Sequence, residues 1–216
     1  AALAGGAKQV IPVGSREEAF AYESKGYLLA GERNGKKVKG FYFGNSPYEY
    51  LNGKIKDKTI VLTTTNGTKA IELSKGADEI VIGSFLNLAV LCDWLIQQNK
   101  DVLLLCAGWK NKFNLEDTLF AGAIVHQTQG HFETNFDAAI AAKQLYEYSK
   151  NDLFGHLKNA SHYKRLAKLG VKKDIQYCLT PNQAEVIPIL EGKCLINSPP
   201  QSPSLLRREG EAEGRG

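Results

Sequence analysis

The chain of 216 residues has few cysteines, no long apolar run and little net charge. Its cysteines, Cys92, Cys106, Cys178 and Cys194, lie far apart and form neither a CxxC pair nor a paired Cys/His spacing. The sequence therefore predicts neither a zinc site nor a disulfide framework. Reduced thiols in a cytosol are the simpler interpretation.

Membrane and nucleic-acid partners are not indicated either. No apolar run approaches the roughly 20 residues that a membrane-spanning helix needs. The first residues, AALAGGAKQ, lack the basic-then-apolar order of a secretory signal. The net charge of +4, from 27 Lys and Arg against 23 Asp and Glu, is too small to indicate nucleic-acid binding. We therefore expect a cytoplasmic protein without a membrane or nucleic-acid partner.

What the sequence does contain, from residue 8 to residue 130, is an alternation of apolar runs and helix-like segments. The apolar runs are nearly continuous, which is typical of strands buried on both faces; they read KQVIPV, GYLLAGE, TIVLTTT, DEIVIGS and DVLLLCAG. The intervening segments have helical composition, and the first carries a capping box at Ser15 and Glu18. This alternation predicts an α/β fold with a mainly parallel sheet and helices on both faces.

The later part of the chain changes character. NFDAAIAAKQLYEYSKN and LFGHLKNASHYKRLAKLG have the pattern of amphipathic helices, so a helical section is predicted to follow the sheet. KKDIQYCLT and AEVIPILEGKCLIN are predicted to form short strands that return to the core or form an edge. The final SPPQSPSLLRREGEAEGRG has nothing to bury. We therefore predict one α/β domain over residues 1–197 and a disordered tail over residues 198–216.

The stretch VLTTTNGTKAIE, residues 61–72, allows two structures. Asn-Gly is a hairpin signal, but the residues after it are mostly helix formers, which favours strand, turn and helix. In that arrangement hydroxyl and N–H donors would meet at the carboxyl end of a strand and could bind an anion; they belong to Thr63, Thr64, Thr65, Asn66, Gly67 and Thr68. Alternatively, Thr65 or Asn66 simply caps the helix. No Lys-Ser/Thr pair follows, so this is not a P-loop.

Two further segments carry candidate ligands. In GWKNKFNLEDTLFAGAI, Glu116 and Asp117 fall in the first turn of a predicted helix, where acidic residues are favoured electrostatically. The alternative is a metal site, because Mg²⁺ is usually held by one or two carboxylates together with substrate phosphate oxygens. In GERNG, Glu32 and Arg33 follow a predicted strand and could serve as a metal ligand beside a phosphate clamp.

The segment GNSP has a simpler explanation. Asn45 and Ser46 precede Pro47, and such a sequence is typical of a capped helix start.

Taken in order, these motifs resemble the 2-phosphosulfolactate phosphatase family of coenzyme M biosynthesis over roughly residues 1–197. The motifs that carry the resemblance are GER, GFYFGNSP, VLTTTNGTKAIE, IGSFLNLAV, LCAG and NLEDTLFAGAI. The resemblance implies an α/β fold and a Mg²⁺-dependent acid phosphatase that hydrolyses 2-phosphosulfolactate to sulfolactate and phosphate.

The chemistry of the matching residues suggests their roles. Asp117, with Glu116 or Glu32, would hold Mg²⁺ while water attacks the phosphorus in line. The phosphate of a small phosphorylated 2-hydroxy acid would be bound by Arg33, Asn45, Ser46, Thr63, Thr65, Asn66, Gly67 and Thr68. Asp117 and Thr64 are the candidate catalytic residues, and a threonine nucleophile is an alternative mechanism. Lys69, Lys110 and Lys112 are either partners for the substrate's second anionic group or solvent-exposed residues.

One departure from the family pattern concerns the first strand. Family members begin with a strand ending in a motif like DVxRATT, whereas this chain starts with the segment that normally follows it. The resemblance therefore implies a truncated domain without that motif's Asp and Arg. The alternative function is an inactive homologue that binds small anions without turnover. An exposed sheet edge would invite pairing, so a homo-oligomer is an alternative to a monomer.

Overall fold

The computed structural model of the chain describes residues 1–33 and 35–198. Within them, six strands form one sheet in the order β3-β2-β4-β1-β6-β5. The strands are β1 (Gln9–Pro12), β2 (Leu28–Arg33), β3 (Lys36–Lys37), β4 (Thr59–Thr63), β5 (Ile187–Glu191) and β6 (Cys194–Ser198). The central strands β2, β4 and β1 are parallel, and β3, β6 and β5 join antiparallel to their neighbours.

The helices of the same residues lie between and after these strands. They are α1 (Arg16–Phe20), α2 (Gly67–Leu73), α3 (Leu88–Gln98), α4 (Leu115–Gln127), α5 (Asp137–Ser149), α6 (Leu153–Leu157), α7 (Ser161–Ala167) and α8 (Lys172–Cys178). Short 3₁₀ helices cover Glu23–Lys25, Pro47–Tyr50 and Phe85–Asn87.

The central strands are apolar because both of their faces are buried. Alternate residues of a strand point to opposite faces. Ile11, Leu29 and Val61 pack on one face with Ala19 of α1. Val10, Ala30 and Ile60 pack on the other face, against Tyr50 and, in part, Ile71 of α2. The predicted α/β fold, with a parallel core and helices on both faces, is confirmed.

A separate core fixes the helices that follow the sheet. Leu88 and Leu91 of α3 pack with Leu119 and Ile124 of α4 and with Ile187 of β5. At Gly122, α4 approaches α5 so closely that a Cβ would collide with the carbonyl oxygen of Ala142. This packing holds the start of α4, with its two acidic residues, in a fixed position relative to the sheet.

Three strand predictions are wrong. Residues 78–84 form no full strand: they pair with β5 at one antiparallel bridge, Val81 to Ile189, with backbone hydrogen bonds on either side of it, from the Ile82 N–H to the Pro188 carbonyl oxygen and from the Leu190 N–H to the Ile80 carbonyl oxygen, both at 2.9 Å. Residues 101–106 form no strand, and Leu103 is 90% exposed. For residues 101–106, an apolar run favours burial, but a strand also needs a neighbouring strand to bond to. KKDIQYCLT forms helix α8, where Leu179 N–H donates to the Ile175 carbonyl and the Tyr177 ring packs on Tyr48. Local bonds and tertiary contact together override the strand preference of its side chains.

The C-terminal hairpin is as predicted. AEVIPILEGKCLIN supplies β5 and β6, and β6 returns to the core beside β1 while β5 forms an edge. Ser198, assigned to the tail by its composition, belongs to β6. The rest of the predicted disordered tail, residues 199–216, lies outside the described residues.

No helix in the described part of the chain is both long and apolar enough to cross a membrane. The absence of a first strand stays a prediction.

Candidate active site at the sheet edge

The parallel pairing of β2 and β4 brings two polar motifs to the same edge of the sheet. Gly31 lies opposite Thr63 in the register, so GER and TTTNGT both leave the sheet at its carboxyl edge. Gly31 has a φ of 149°, and a Cβ there would collide with the Thr63 carbonyl oxygen. Only glycine allows the two chains to approach this closely at this point.

Arg33 and Thr63 form the first contact between the motifs. The Arg33 Nη2 group donates to Thr63 Oγ1 at 2.9 Å, and Nη1 donates to the Glu32 carbonyl oxygen at 2.7 Å. Thr63 is fully buried, so its hydroxyl is a fixed anchor for the guanidinium. These bonds use only part of the N–H groups of an arginine, whose flat fork suits oxyanions.

Glu32 forms the second contact between the motifs. Its Oε1 accepts hydrogen bonds from the Thr65 hydroxyl at 3.0 Å and from the Thr65 N–H at 3.3 Å. Its Oε2 accepts from the Gly35 N–H at 2.7 Å. The carboxylate therefore ties the turn after β2 to the segment TTTNGT, residues 63–68, which we call the threonine turn. Neighbouring residues of GER thus make different contacts, Arg33 with the end of β4 and Glu32 with the turn beyond it.

The threonine turn continues into α2, which confirms strand, turn and helix and excludes the hairpin. Thr64 Oγ1 accepts from the Thr68 N–H at 3.3 Å, and the Thr68 hydroxyl donates to the Thr64 carbonyl oxygen at 3.0 Å. Asn66 stands at the N-cap position without a side-chain cap bond, and Thr65 bonds to Glu32. Asn66 therefore takes the N-cap position, as one alternative predicted, but the side-chain bond to the first turn of α2 comes from Thr64.

A tight turn over residues 109–112 lies against the threonine turn. Trp109 and Lys112 exchange two backbone hydrogen bonds of 3.0 Å, with Lys110 and Asn111 at φ values of 50° and 60° between them. The Lys110 N–H donates to Asn66 Oδ1 at 3.3 Å. Lys69 Nζ donates to Asn111 Oδ1 at 2.9 Å. We call residues 109–112 the Trp109 turn.

Asp117 is linked to the same region through the backbone. Its Oδ2 accepts from the Gly108 N–H at 2.6 Å, immediately before the Trp109 turn. The neighbouring Glu116 Oε1 accepts from Asn114 Nδ2 at 3.3 Å. Both carboxylates stand in the first turn of α4, as predicted.

The carboxylates offer the oxygen ligands that Mg²⁺ prefers, but not as a ready cluster. Within residues 1–33 and 35–198, no three His, Cys, Asp or Glu side chains gather closely enough to hold a metal ion. Glu32 is therefore not assembled with Glu116 and Asp117 into one three-ligand group. Mg²⁺ sites with one or two carboxylates and substrate phosphate oxygens are common, so the donor chemistry fits. The metal assignment stays a prediction.

The GNSP segment borders β2. Phe43 forms a parallel bridge with Ala30, and its carbonyl oxygen accepts from the Gly31 N–H at 3.1 Å. The Tyr50 hydroxyl donates to the Gly44 carbonyl oxygen at 2.6 Å, and burial raises the pKa of Tyr50. Among the described residues, no hydrogen bond joins the side chains of Asn45 or Ser46 to Arg33 or to the threonine turn. Their phosphate-binding role stays a prediction.

Sequence reasoning assigned no role to Arg165, which the structure places at this region. Its guanidinium carbon lies 4.4 Å from the centroid of the Trp109 ring. The available signal was charge, since residues 153–173 contain Lys158, Lys164, Arg165, Lys168, Lys172 and Lys173 and no carboxylate.

Two hollows lie elsewhere in the described structure. One, of about 200 Å³, is lined by residues such as Phe132, Ile140 and Lys143, and another, of about 380 Å³, by residues such as Lys150 and Phe154. None of the candidate residues lines either hollow.

Comparison with known proteins places the chain in a family. The model of the 2-phosphosulpholactate phosphatase family matches residues 1–193. A probable 2-phosphosulfolactate phosphatase from Thermotoga maritima is 46% identical over 189 residues, covering 88% of this chain and 82% of the relative. Another from Caldanaerobacter subterraneus is 40% identical over 196 residues, covering 88% and 81%. A third from Clostridium acetobutylicum is 38% identical over 192 residues, covering 87% and 81%. The chain, whose motifs resemble this family in kind and order, belongs to the 2-phosphosulpholactate phosphatase family.

Proposed function

We propose that the protein is a phosphatase that hydrolyses a small phosphorylated 2-hydroxy acid, with 2-phosphosulfolactate as the candidate substrate. The products would be sulfolactate and inorganic phosphate. Family membership supports the reaction class. The observation that carries the site is the pair of contacts from GER to the threonine turn, Arg33 to Thr63 and Glu32 to Thr65.

Arg33 would bind the phosphate and stabilise its charge during the reaction. Phosphoryl transfer depends mainly on positioning and on electrostatic stabilisation of the phosphoryl oxygens. The Thr63 hydroxyl and the Glu32 carbonyl oxygen orient the guanidinium in advance, so little reorganisation is needed when substrate binds. Water attacks the phosphorus in line, and the bond from phosphorus to the ester oxygen breaks as the new bond forms.

The threonine turn would form the other side of the phosphate site. The Thr64 hydroxyl oxygen accepts a hydrogen bond from the Thr68 N–H. This bond orients the O–H proton of Thr64 toward other acceptors. A phosphate oxygen could accept from this O–H and from the backbone N–H groups around Asn66 and Gly67. We therefore assign Thr64 to transition-state stabilisation, with Thr65 and Thr68 shaping the turn. A covalent route through Thr64 is the alternative.

Magnesium would be held by Asp117, with Glu116 or Glu32 as a second ligand. When bound, the ion would neutralise charge that develops on the phosphoryl oxygens. The Asp117 carboxylate is oriented by the Gly108 N–H, directly before the Trp109 turn that bonds to Asn66. This chain of contacts supports placing the metal next to the threonine turn.

Phosphate release tests the function. Purified protein is mixed with 2-phosphosulfolactate, and inorganic phosphate is measured with added Mg²⁺, with EDTA, and with EDTA followed by excess Mg²⁺. We expect release that EDTA abolishes and Mg²⁺ restores. No release by folded protein in Mg²⁺ would overturn the phosphatase and favour an anion-binding homologue without turnover. Release that is insensitive to EDTA would remove only the metal from the proposal.

We also propose that the enzyme works in the cytoplasm, since its cysteines show no disulfide pattern and are free thiols. Cell fractionation tests this location, and recovery of the protein only outside the cytoplasmic fraction would contradict it.

Self-association stays a prediction. Light scattering on the purified protein would exclude it by showing a monomer mass at all concentrations.

A further inference from the structure

The segment from α7 to α8 lies against the three loops that border the candidate site. Leu169 packs so closely on Gly35, in the turn after β2, that a Cβ at Gly35 would collide with it. Tyr177 packs on Tyr48, directly after the GNSP segment, with ring centroids 5.2 Å apart. Arg165 lies over Trp109. This helical segment therefore covers the border of the site from one side.

The contacts of Arg165 leave N–H donors at the edge of its guanidinium accessible to a ligand. Its guanidinium carbon lies 4.4 Å from the centroid of the Trp109 ring, and Nη1 donates to Ser161 Oγ at 3.4 Å. An arginine that stacks on an aromatic ring uses its flat face, whereas its N–H donors lie in the plane of the guanidinium. The side chain is half-buried, which restricts its orientation.

The Trp109 turn connects Arg165 to the phosphate site. Lys110 of this turn donates its N–H to Asn66, and Asn111 accepts from Lys69. Lys110 Nζ also lies 5.6 Å from the centroid of the Trp109 ring that Arg165 covers. Two cationic groups thus lie against the Trp109 ring. The Trp109 turn places this ring next to the threonine turn, the proposed phosphate site.

The helical segment that carries Arg165 has charge of one sign. Between Asp152 and Asp174 the chain carries six cationic side chains and no carboxylate. A surface of one sign attracts ligands of the opposite sign and raises their association rate.

We propose that Arg165 binds the second anionic group of the substrate, a carboxylate or a sulfonate, and so selects 2-phospho acids over simple phosphate monoesters. This inference rests on the proposed phosphatase function. Arginine forms paired, charge-assisted hydrogen bonds with such oxyanions. Phosphate would be bound by Arg33 and the threonine turn, and the acid group would face α7.

Three substrates separate the two anionic groups. Isopropyl phosphate has neither a carboxylate nor a sulfonate. 2-Phospholactate has the carboxylate, and 2-phosphosulfolactate has both the carboxylate and the sulfonate. The kcat/KM value for each is measured with wild type, Arg165→Gln and Arg165→Lys. Lys158→Gln is the matched control, since Lys158 also lies over an aromatic ring, that of Phe154 at 5.1 Å, outside the candidate site.

We expect the wild type to prefer the substrates with a second anion. In Arg165→Gln this preference should fall about 10- to 100-fold, the usual effect of losing a charge-assisted pair. Arg165→Lys should recover part of it, because a lysine keeps the charge without the planar fork. Lys158→Gln should keep the wild-type preference. Loss of the preference for 2-phospholactate over isopropyl phosphate identifies the carboxylate, and loss only for 2-phosphosulfolactate identifies the sulfonate.

Other outcomes overturn the inference or the function separately. An equal fall in kcat/KM for all three substrates, or unchanged preferences, would show that Arg165 does not recognise a second anion. No turnover of any substrate by wild type would instead remove the phosphatase function. Calorimetric titration with sulfolactate then tests whether Arg165 binds the second anionic group. Binding at least tenfold weaker in Arg165→Gln supports the assignment, and equal binding or none contradicts it.

Discussion

The Arg33 guanidinium donates a 2.9 Å hydrogen bond to the Thr63 hydroxyl across two neighbouring parallel strands. Thr63 is fully buried at the end of β4, and Arg33 is the last residue of β2. The bond therefore joins the GER and TTTNGT motifs at their bases. It fixes the orientation of the guanidinium, which we propose binds the phosphate.

Replacing Arg33 should disable the enzyme. Arg33→Gln removes the charge and the planar fork, so kcat/KM for 2-phosphosulfolactate should fall about 10²- to 10³-fold, as when a preorganised donor is lost. The matched control is Lys100→Gln, which removes a cation that lies just after α3 and pairs with Glu79. Steady-state phosphate release measures both variants. Similar activities for the two would show that Arg33 does not bind the reacting phosphate.

Asp117 provides a test of the metal assignment. In Asp117→Asn the amide oxygen can still accept from the Gly108 N–H, so the Trp109 turn should keep its position. The lost negative charge should raise the Mg²⁺ concentration for half-maximal activity at least tenfold, since Mg²⁺ favours carboxylate ligands. Asp93→Asn, on the exposed side of α3, is the control. A Mg²⁺ titration that matches wild type would exclude Asp117 as a ligand.

Gly31 should be essential for the close pairing of β2 and β4. Gly31→Ala places a Cβ against the Thr63 carbonyl oxygen at a φ of 149°, so the free energy of unfolding should fall by about 3 kcal/mol. Gly76→Ala is the control, because nothing lies within 4 Å of a Cβ there. Urea denaturation compares the variants. Equal stabilities would mean that the two strands can separate at this point without loss.

Stability at alkaline pH should depend on Cys92. Burial, with a smaller effect of the Asp93 charge, raises the pKa of this thiol from 9.0 to about 12. The unfolded chain therefore ionises the thiol at a lower pH than the folded protein does. Wild type should lose this part of its stability as pH rises from about 9 to about 12.

The test compares wild type with Cys92→Ala across this pH range. The stability advantage of wild type, measured by urea denaturation, should shrink as pH rises. Leu91→Ala removes a buried neighbour that does not titrate, and its difference from wild type should stay constant. A constant difference for Cys92→Ala as well would contradict the raised pKa.

Much of the site follows from local sequence patterns. The apolar runs before Glu32 and before Thr64 predict β2 and β4, and parallel strands bring their carboxyl ends to one edge. The helix formers after Gly67 predict α2. Each of these strands and α2 depends on residues close together in the chain, which explains why a pattern could predict them.

The remaining features depend on long-range contacts. Residues 101–106 have the apolar pattern of a strand, but no pattern states whether a neighbouring strand is present. The contact of Arg165 with Trp109 depends on how α7 packs, and a cationic helix is usually solvent-exposed. The Thr64 bond to Thr68 was missed because several residues of TTTNGT have capping chemistry.

The most direct test of the site is a crystal structure of the protein with Mg²⁺ and tungstate, a mimic of phosphate. We predict tungstate at the carboxyl edge of β2 and β4, within hydrogen-bonding distance of Arg33 and the threonine turn. Asp117 should lie among the metal ligands. Tungstate bound in either hollow beside α5, with neither Arg33 nor the threonine turn in contact, would contradict the account.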